Sequence, residues 1–486
     1  MTWPFRRKRA PLLDPWDLST PVLQWAPGCP FTTGDACQGV GIFGSTGAGK
    51  STGSFATILK SYLLAGWGGV LFTAKPEDTL QYAKLVRDAG RQDDLLVFSP
   101  EHALRYNFIE EELRRSGDGA GVVENLSALV LTVVELLERS KDRGGGEQFF
   151  RLESTRLLRN TILVLLLAKR HFTMTDLHRL IVSAPQSIEE FENKSWQESS
   201  MCFQCLRQAQ DTPKNESMRA DFDLAVTYFA REWPALASRT RSSVQVTLTS
   251  ATDLLSRGLV RDMLSAPRST FSASMLHDGA ILIAAFPVLR HALAGQMIQV
   301  ILKHALQRDH VRRDVSRNPR PTFMAADEAQ LLWVDADQEF QGVTRSTRTA
   351  VVYATQGLST MLDAFGPNSD DKVHSLLGSL QCRISHQQTD IRTVEYMQQL
   401  IGRSRQLLLS GNSSRDGDWL GPLFGERSGG SAGFSEHLDF ELQARDLNSL
   451  AKGGPPAWFT EAIVYQGGKV FPNGRTWLRA AFPQHR

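Results

Sequence analysis

The run Gly44-Ser45-Thr46-Gly47-Ala48-Gly49-Lys50-Ser51 obeys the spacing G-x-x-x-x-G-K-[ST], and it follows the apolar tetrapeptide Val40-Gly41-Ile42-Phe43. A short buried strand, a glycine-rich turn and a helix-like stretch from Ser54 to Leu64 are the context a phosphate-binding loop requires. The glycines let backbone N–H groups converge on an anion, Lys50 reaches the β and γ oxygens, and Ser51 offers its hydroxyl to magnesium. Gly44, Ser45, Thr46, Gly47, Ala48, Gly49, Lys50, Ser51 and Thr52 are therefore expected to hold ATP or GTP, with Lys50 facing solvent while the loop is empty.

Three other patterns compete and fail on context. Gly39-x-Gly41-x-x-Gly44 mimics a dinucleotide fingerprint, but its glycines lie within the strand instead of after it. Gly49-x-Ser51-x-Gly53 mimics a hydrolase nucleophile elbow, yet its serine follows a lysine already inside the helix start. Gly429-x-Ser431-x-Gly433 repeats the elbow in a Gly/Ser stretch with no apolar strand before it.

A phosphate loop needs an acidic partner to hold the metal and aim a water. Thr322-Phe323-Met324-Ala325-Ala326 is an apolar run of strand length, preceded by Pro319-Arg320-Pro321 and ending in Asp327-Glu328. Asp327 is expected to hold Mg2+ beside Ser51, usually through water, and Glu328 to polarise the attacking water. Paired acids after an apolar run also occur as solvated strand ends, and the phosphate loop on the same chain favours the catalytic reading.

With 486 residues, 42% hydrophobic and 22% charged, the chain is long enough for two or three globular domains. Its net charge of +2 does not by itself demand a nucleic-acid partner, so any DNA contact must come from local patches. Arg6-Arg7-Lys8-Arg9 and the segment Arg308 to Arg320 are the clearest, and each reads equally as a solvated tail or linker. The five cysteines form no disulfide scaffold. Cys202-x-x-Cys205 with Cys29 and Cys37 matches no common zinc spacing, and the 11 histidines show no metal-binding pattern. Neither Ile162 to Ala168 nor Ala280 to Leu289 reaches the ~18 apolar residues of a membrane span, so the chain is expected to be soluble and without stable membrane insertion of its own.

Strand-like runs fall at Val40 to Phe43, Gly69 to Thr73, Leu95 to Ser99, Ala280 to Ala285, Thr322 to Ala326, Ala350 to Thr355 and Gln381 to His386, mostly separated by helix-like stretches. That alternation predicts an α/β fold with a parallel sheet flanked by helices. Asn107 to Ala273 shows helical spacing and scarcely any strand signal, which reads as an inserted all-helical domain or as helices packed on the sheet. The expected division is an N-terminal tail over 1–32, a RecA-like nucleotide-binding domain over 33–108 and 274–486, and the all-helical insert over 109–273. Ser410 to Glu436 reads as a flexible loop.

The order of phosphate loop, helical insert, Asp327-Glu328 and Tyr353-Ala354-Thr355-Gln356-Gly357-Leu358-Ser359 resembles the soluble motor domain of type IV coupling proteins, the conjugative DNA-transfer ATPases related to FtsK and HerA. Ser99-Pro100 running on to Asn107, the stretch Gln381 to Gly402 with Asp390, Tyr396 and Leu400, and Arg445-Asp446-Leu447 through Leu450 with Phe459 to Gln466 extend the likeness over most of the chain. The resemblance implies a RecA-like P-loop ATPase that uses ATP and Mg2+, works as a homo-hexamer and translocates DNA. Gln356 would be the polar sensor of hydrolysis, while Arg345 or Arg348 would serve a neighbouring subunit or the DNA channel. Partners would include DNA and a relaxase or secretion-channel proteins. The location would be cytoplasmic, peripheral at the inner membrane through those partners.

Two departures stand out. The membrane helices that open most members have no counterpart in Met1 to Thr32, and Asp-Pro-Lys-Gly-Glu after the second strand appears as Thr73-Ala74-Lys75-Pro76-Glu77. Two alternatives stay open: a nucleotide-gated protein-recruitment module, and an ATPase of an antiviral or antiplasmid system on the same fold.

Overall fold

The apolar runs become strands because residues with no polar alternative on either face are stable only between two layers. In the computed structural model, which describes residues 14–114, 122–138, 147–169, 171–413 and 430–485, thirteen strands occur among the described residues. They are β1 Pro21–Ala26, β2 Cys29–Thr32, β3 Val40–Phe43, β4 Gly68–Phe72, β5 Leu95–Phe98, β6 Ile281–Ala284, β7 Thr322–Ala326, β8 Thr349–Thr355, β9 Cys382–His386, β10 Arg403–Ser413, β11 Gly430–Phe440, β12 Phe459–Gln466 and β13 Trp477–Pro483.

Nine of them form one sheet in the order β13-β12-β9-β3-β8-β7-β4-β6-β5. From β9 to β5 all neighbours are parallel, whereas β12 runs antiparallel to both β9 and β13. The expected parallel sheet thus carries an antiparallel edge. Its outer strand β13 escaped pattern reading because only Trp477, Ala480 and Phe482 are buried and no continuous apolar run marks it.

The period of two divides the side chains between two cores. Val40, Ile42, Leu71, Ile283, Phe323 and Val352 face the helices 56–64 and 78–88. Phe43, Phe72, Phe98, Met324, Val351 and Tyr353 face the other side, together with helix 288–312. Between β5 and β6 the described residues are helical from Phe108 to His277 with no strand, and their buried side chains are continuous with this second core.

Three expectations need correction. The stretch read as an N-terminal tail contains the hairpin β1–β2, which buries Trp25 and Phe31 with ring centroids 4.8 Å apart and sets Trp25 against Phe482. Part of the stretch read as a flexible loop belongs to the hairpin β10–β11, and residues 414–429, including Gly429 of the second elbow pattern, lie outside the described residues.

The basic segment Arg308 to Arg320 is largely consumed by structure. Arg308 donates to Asn125, Arg312 pairs with Glu112 at 3.3 Å, and Arg313 donates to the Asn318 and Arg320 carbonyls. Arg320 donates to the Asp278 carbonyl and covers the Trp16 ring. Arg6 to Arg9 lie outside the described residues. Finally, Cys202 and Cys205 sit in the core on one face of the sheet and Cys29 on the other, so these thiols are structural apolar groups and cannot meet at one metal.

Candidate active site

The phosphate loop leaves β3 at Phe43 and reaches a helical turn at Ser51. Gly47 and Gly49 take φ of 76° and 85°, a left-handed conformation that glycine adopts without a Cβ clash. Gly49 has a second reason to be glycine, since a Cβ there would lie 2.9 Å from Thr460 Cβ. The loop is fastened from neighbouring strands: Ser45 N–H donates to the Gln387 carbonyl at 2.9 Å, and the Thr460 hydroxyl donates to the Ala48 carbonyl at 2.7 Å. Beneath it His386, fully buried, meets the Ser54 hydroxyl at 2.7 Å and the Thr460 hydroxyl at 3.2 Å.

Lys50 corrects an expectation. Instead of facing solvent it is 6% exposed, with Nζ donating to the Gly44 carbonyl at 3.0 Å. Burial lowers its pKa, and the carboxylates of Asp327 and Glu328 oppose that shift. The ammonium rests on that carbonyl because a buried charge without a hydrogen-bond partner is costly.

At the end of β7, Asp327 accepts a hydrogen bond from the Ser51 hydroxyl and, through Oδ1, from Glu328 N–H at 3.0 Å. Glu328 itself stands at φ 53°, a left-handed conformation costly for a residue with a Cβ and typical of functional turns. The turn brings its carboxylate to Gln356 Nε2 at 3.4 Å, Gln330 Nε2 at 2.8 Å and Lys75 Nζ at 3.8 Å. Gln356 follows β8, and its carbonyl accepts Gly44 N–H and the Gln388 side-chain amide. Ser51, Asp327, Glu328 and Gln356 thus converge at the carboxyl ends of adjacent parallel strands, where open α/β sheets place their ligands. The oxygens of Ser51 and Asp327 form a hard donor pair that suits Mg2+.

Two residues compensate for the altered segment after β4. Asp78 Oδ2 accepts the N–H groups of Ala74 at 2.8 Å and Lys75 at 2.7 Å, and burial raises its pKa to about 6 against those bonds. Gln299, also buried, bonds both the N–H and the carbonyl of Thr73. Together they fix the backbone from which Lys75 reaches Glu328. Position 73 of this turn carries no carboxylate, and the one that holds its backbone stands at Asp78, five residues further on.

The arginines lie elsewhere. Arg345 and Arg348 precede the amino end of β8 whereas Gln356 follows its carboxyl end, and seven strand residues separate the two by roughly 23 Å. Arg348 donates to the carbonyls of Trp16 at 2.7 Å and Pro319 at 2.9 Å, which makes it a clamp on the sheet's lower rim. Arg345 is exposed. The Thr52 hydroxyl accepts a hydrogen bond from Gln484 Nε2 at 3.0 Å.

Sequence patterns missed Lys75 and Asp78 as partners of the acidic pair, and His386, Gln388, Thr460 and Gln484 as supports of the loop. Thr460 and Gln484 come from the antiparallel edge, more than 400 residues downstream, where no local signal points to a phosphate site.

Solved structures share this architecture. The unbound bacterial conjugative coupling protein TrwB, lacking its first 70 residues, superposes with a TM-score of 0.60 at 14% identity over 96% of this chain and 89% of that one. TrwB in complex with ADP and Mg2+ gives 0.57 at 15% identity over 97% and 90%. TrwB with the non-hydrolysable ATP analogue ADPNP gives 0.58 at 16% over 96% and 90%. None of the curated proteins matches the chain at a significant level. The profile of the family described as type IV secretory system conjugative DNA transfer matches residues 18–408, and the chain belongs to that family.

Proposed function

We propose that this protein is the ATP-driven DNA-transfer motor of a conjugative system, a coupling ATPase that works as a homo-hexameric ring and moves DNA through its centre. The observation that carries this reading is the contact of Ser51 with Asp327, which sets a phosphate loop against an acidic strand end whose Glu328 is held by Gln356 and Lys75. That TrwB was solved with ADP and Mg2+ and with an ATP analogue supports the choice of ligand.

Ser51 and Asp327 would hold Mg2+, which neutralises charge on the phosphates when bound. Lys50 exchanges the Gly44 carbonyl for phosphate oxygens, a swap that returns a partner to the buried ammonium. Glu328 accepts the proton of the attacking water. Lys75 and Gln330 keep its carboxylate aimed, and Gln356, touching both Glu328 and the base of the phosphate loop, registers whether the γ-phosphate is present. Arg345, remote from its own site and exposed, is the candidate to serve a neighbour's site or the DNA, while Arg348 is engaged within its own chain.

Partners in this reading are DNA and a relaxase or secretion-channel proteins. Among the described residues no helix is long and apolar enough to cross a membrane, so docking at the inner membrane would run through those partners.

The test is ATP turnover against added single- and double-stranded DNA at two salt concentrations. A motor predicts DNA stimulation that falls steeply with salt, because phosphate contacts release counterions. Mixing Arg345→Ala with Lys50→Ala protein should restore part of the activity if Arg345 acts in trans. Turnover indifferent to DNA, with no ring at micromolar protein, would favour the nucleotide-gated recruitment module instead.

A further inference from the structure

We propose that Asp78 is a further carboxylate of the magnesium site, one that holds the ion through a bound water. This rests on the ATP reading above and deepens it.

A cavity of about 40 Å³ lies between the helices 56–64 and 78–88. Such a space has room for about three water molecules. Phe55, Leu59 and Leu85 give it apolar walls, while Ser51, Asp327 and Asp78 line it with oxygens. Ser51 and Asp327 are already joined by a hydrogen bond, so Asp78 faces the same small space as the two residues that would hold the ion.

Asp78 has an oxygen to spare. Its Oδ2 accepts the N–H groups of Ala74 and Lys75, whereas Oδ1 has no hydrogen bond or ion pair among the described residues. The residue is only 4% exposed, and the open space left to Oδ1 is this cavity. A buried carboxylate oxygen without a donor is costly. No protein group supplies one: both N–H groups of the turn are taken by Oδ2, and the ammonium of Lys75 turns to Glu328.

The spacing of the acids decides how Asp78 acts. Among the described residues no three Asp, Glu, His or Cys side chains gather within reach of one ion, so Asp78, Asp327 and Glu328 are no direct ligand set. Mg2+ keeps several of its waters when a protein binds it through one or two carboxylates. Those waters are strong donors and need acceptors. Oδ1 of Asp78 is an anionic acceptor placed for one of them, and partners in this outer position typically change metal affinity by about 10- to 100-fold. One side chain would then serve both needs, Oδ2 fixing the turn that carries Lys75 and Oδ1 receiving a metal-bound water.

The experiment titrates ADP into the full chain by calorimetry, first with a chelator and then at a series of Mg2+ concentrations, for the parent, Asp78→Asn and Asp78→Ser. Both variants keep an oxygen that can accept the Ala74 and Lys75 N–H groups but lose the charge, and melting curves confirm folding. The expected result is that about tenfold more Mg2+ is needed to tighten ADP binding, with metal-free ADP affinity unchanged. An unchanged Mg2+ requirement in a folded variant would overturn the proposal while leaving the ATP reading intact. So would an equal loss of ADP affinity with and without Mg2+, which a residue that only braces the turn would give. Failure of both variants to fold would make Asp78 a framework residue and overturn the proposal as well. A parent chain that binds no ADP at any Mg2+ concentration would remove the ATP reading, and this role with it.

Discussion

The hydroxyl of Ser51 donates its hydrogen bond to Oδ2 of Asp327, a carboxylate 276 residues further along the chain. Each residue ends a different element, Ser51 at the head of a helix and Asp327 at the tail of β7. The pairing exists only because β3 and β7 flank β8 in one parallel sheet. Much of the site's behaviour follows from this meeting of two strand ends.

Replacing Lys50 by methionine should lower ATP turnover by more than about a hundredfold, since no other cation in the loop can neutralise charge on the transferred phosphoryl group. The buried ammonium gives way to an apolar group of similar length, so the melting temperature should stay within a few degrees of the parent value. Turnover within tenfold of the parent in the folded variant would remove the phosphate-loop assignment.

Glu328→Gln and Asp327→Asn should fail in different ways. The first leaves Ser51 and Asp327 intact, so it should bind MgATP normally and hydrolyse it at least about a hundredfold more slowly. The second weakens the hard oxygen pair and should raise the magnesium concentration needed for nucleotide binding. Titrating nucleotide at several magnesium concentrations separates them, and identical behaviour of the two variants would contradict the division of roles.

Gly53→Ala would ordinarily stabilise a helix by up to about 1 kcal/mol. Here the new Cβ would lie 2.3 Å from Thr460 Cγ2, so a loss of about 1–3 kcal/mol is expected from overpacking. Thr460→Ser removes that methyl while keeping the hydroxyl bonded to Ala48, and in the double variant it should recover most of the loss. Chemical denaturation of the four proteins in the cycle measures it, and strict additivity would show that the two residues do not clash.

His386 gives the site a pH signature. Burial, reinforced by the charge of Lys50, holds its pKa at about 3 against an ordinary 6.5. A depressed folded value means that the unfolded chain takes up the proton first as pH falls. The contribution to stability is therefore complete above pH 6.5 and shrinks as pH drops toward 3. Between pH 7.5 and pH 5 the loss from this group should be about 2 kcal/mol. His386→Gln keeps hydrogen bonding to Ser54 and Thr460 without a titrating ring, so its unfolding free energy should fall less over that interval. Equal slopes for variant and parent would assign the acid sensitivity to other buried histidines.

The central parallel strands and both chemical motifs were legible because each is dictated locally. Val40 to Phe43, Thr322 to Ala326 and Ala350 to Thr355 are apolar on both faces, and such segments fit only between two layers. The glycines of the phosphate loop answer a local demand for positive φ, and Asp327-Glu328 closes an otherwise apolar run. The hairpin β1–β2, the edge strand β13 and the arms of β10–β11 were not legible, since short or alternating strands carry little apolar signal. The basic segment from Arg308 to Arg320 misled for a related reason, because composition counts charges without showing that Arg312 faces Glu112 and Arg313 faces carbonyl oxygens.

What the sequence by itself determined is an α/β protein with a glycine-rich loop after its third strand and an acidic pair at the end of another strand, which the fold brings together. Only the tertiary structure decided how Glu328 is aimed, by Gln356, Gln330 and Lys75, how Asp78 makes good the altered turn after β4, and how Thr460 and Gln484 brace the loop from the antiparallel edge. It also decided that Arg348 is a clamp and that Lys50 rests on Gly44. The physical reason is that a hydrogen bond is fixed by distances of about 3 Å between atoms. Sequence patterns report the period and polarity of a segment, and carry no information about which distant side chain folding delivers to that range.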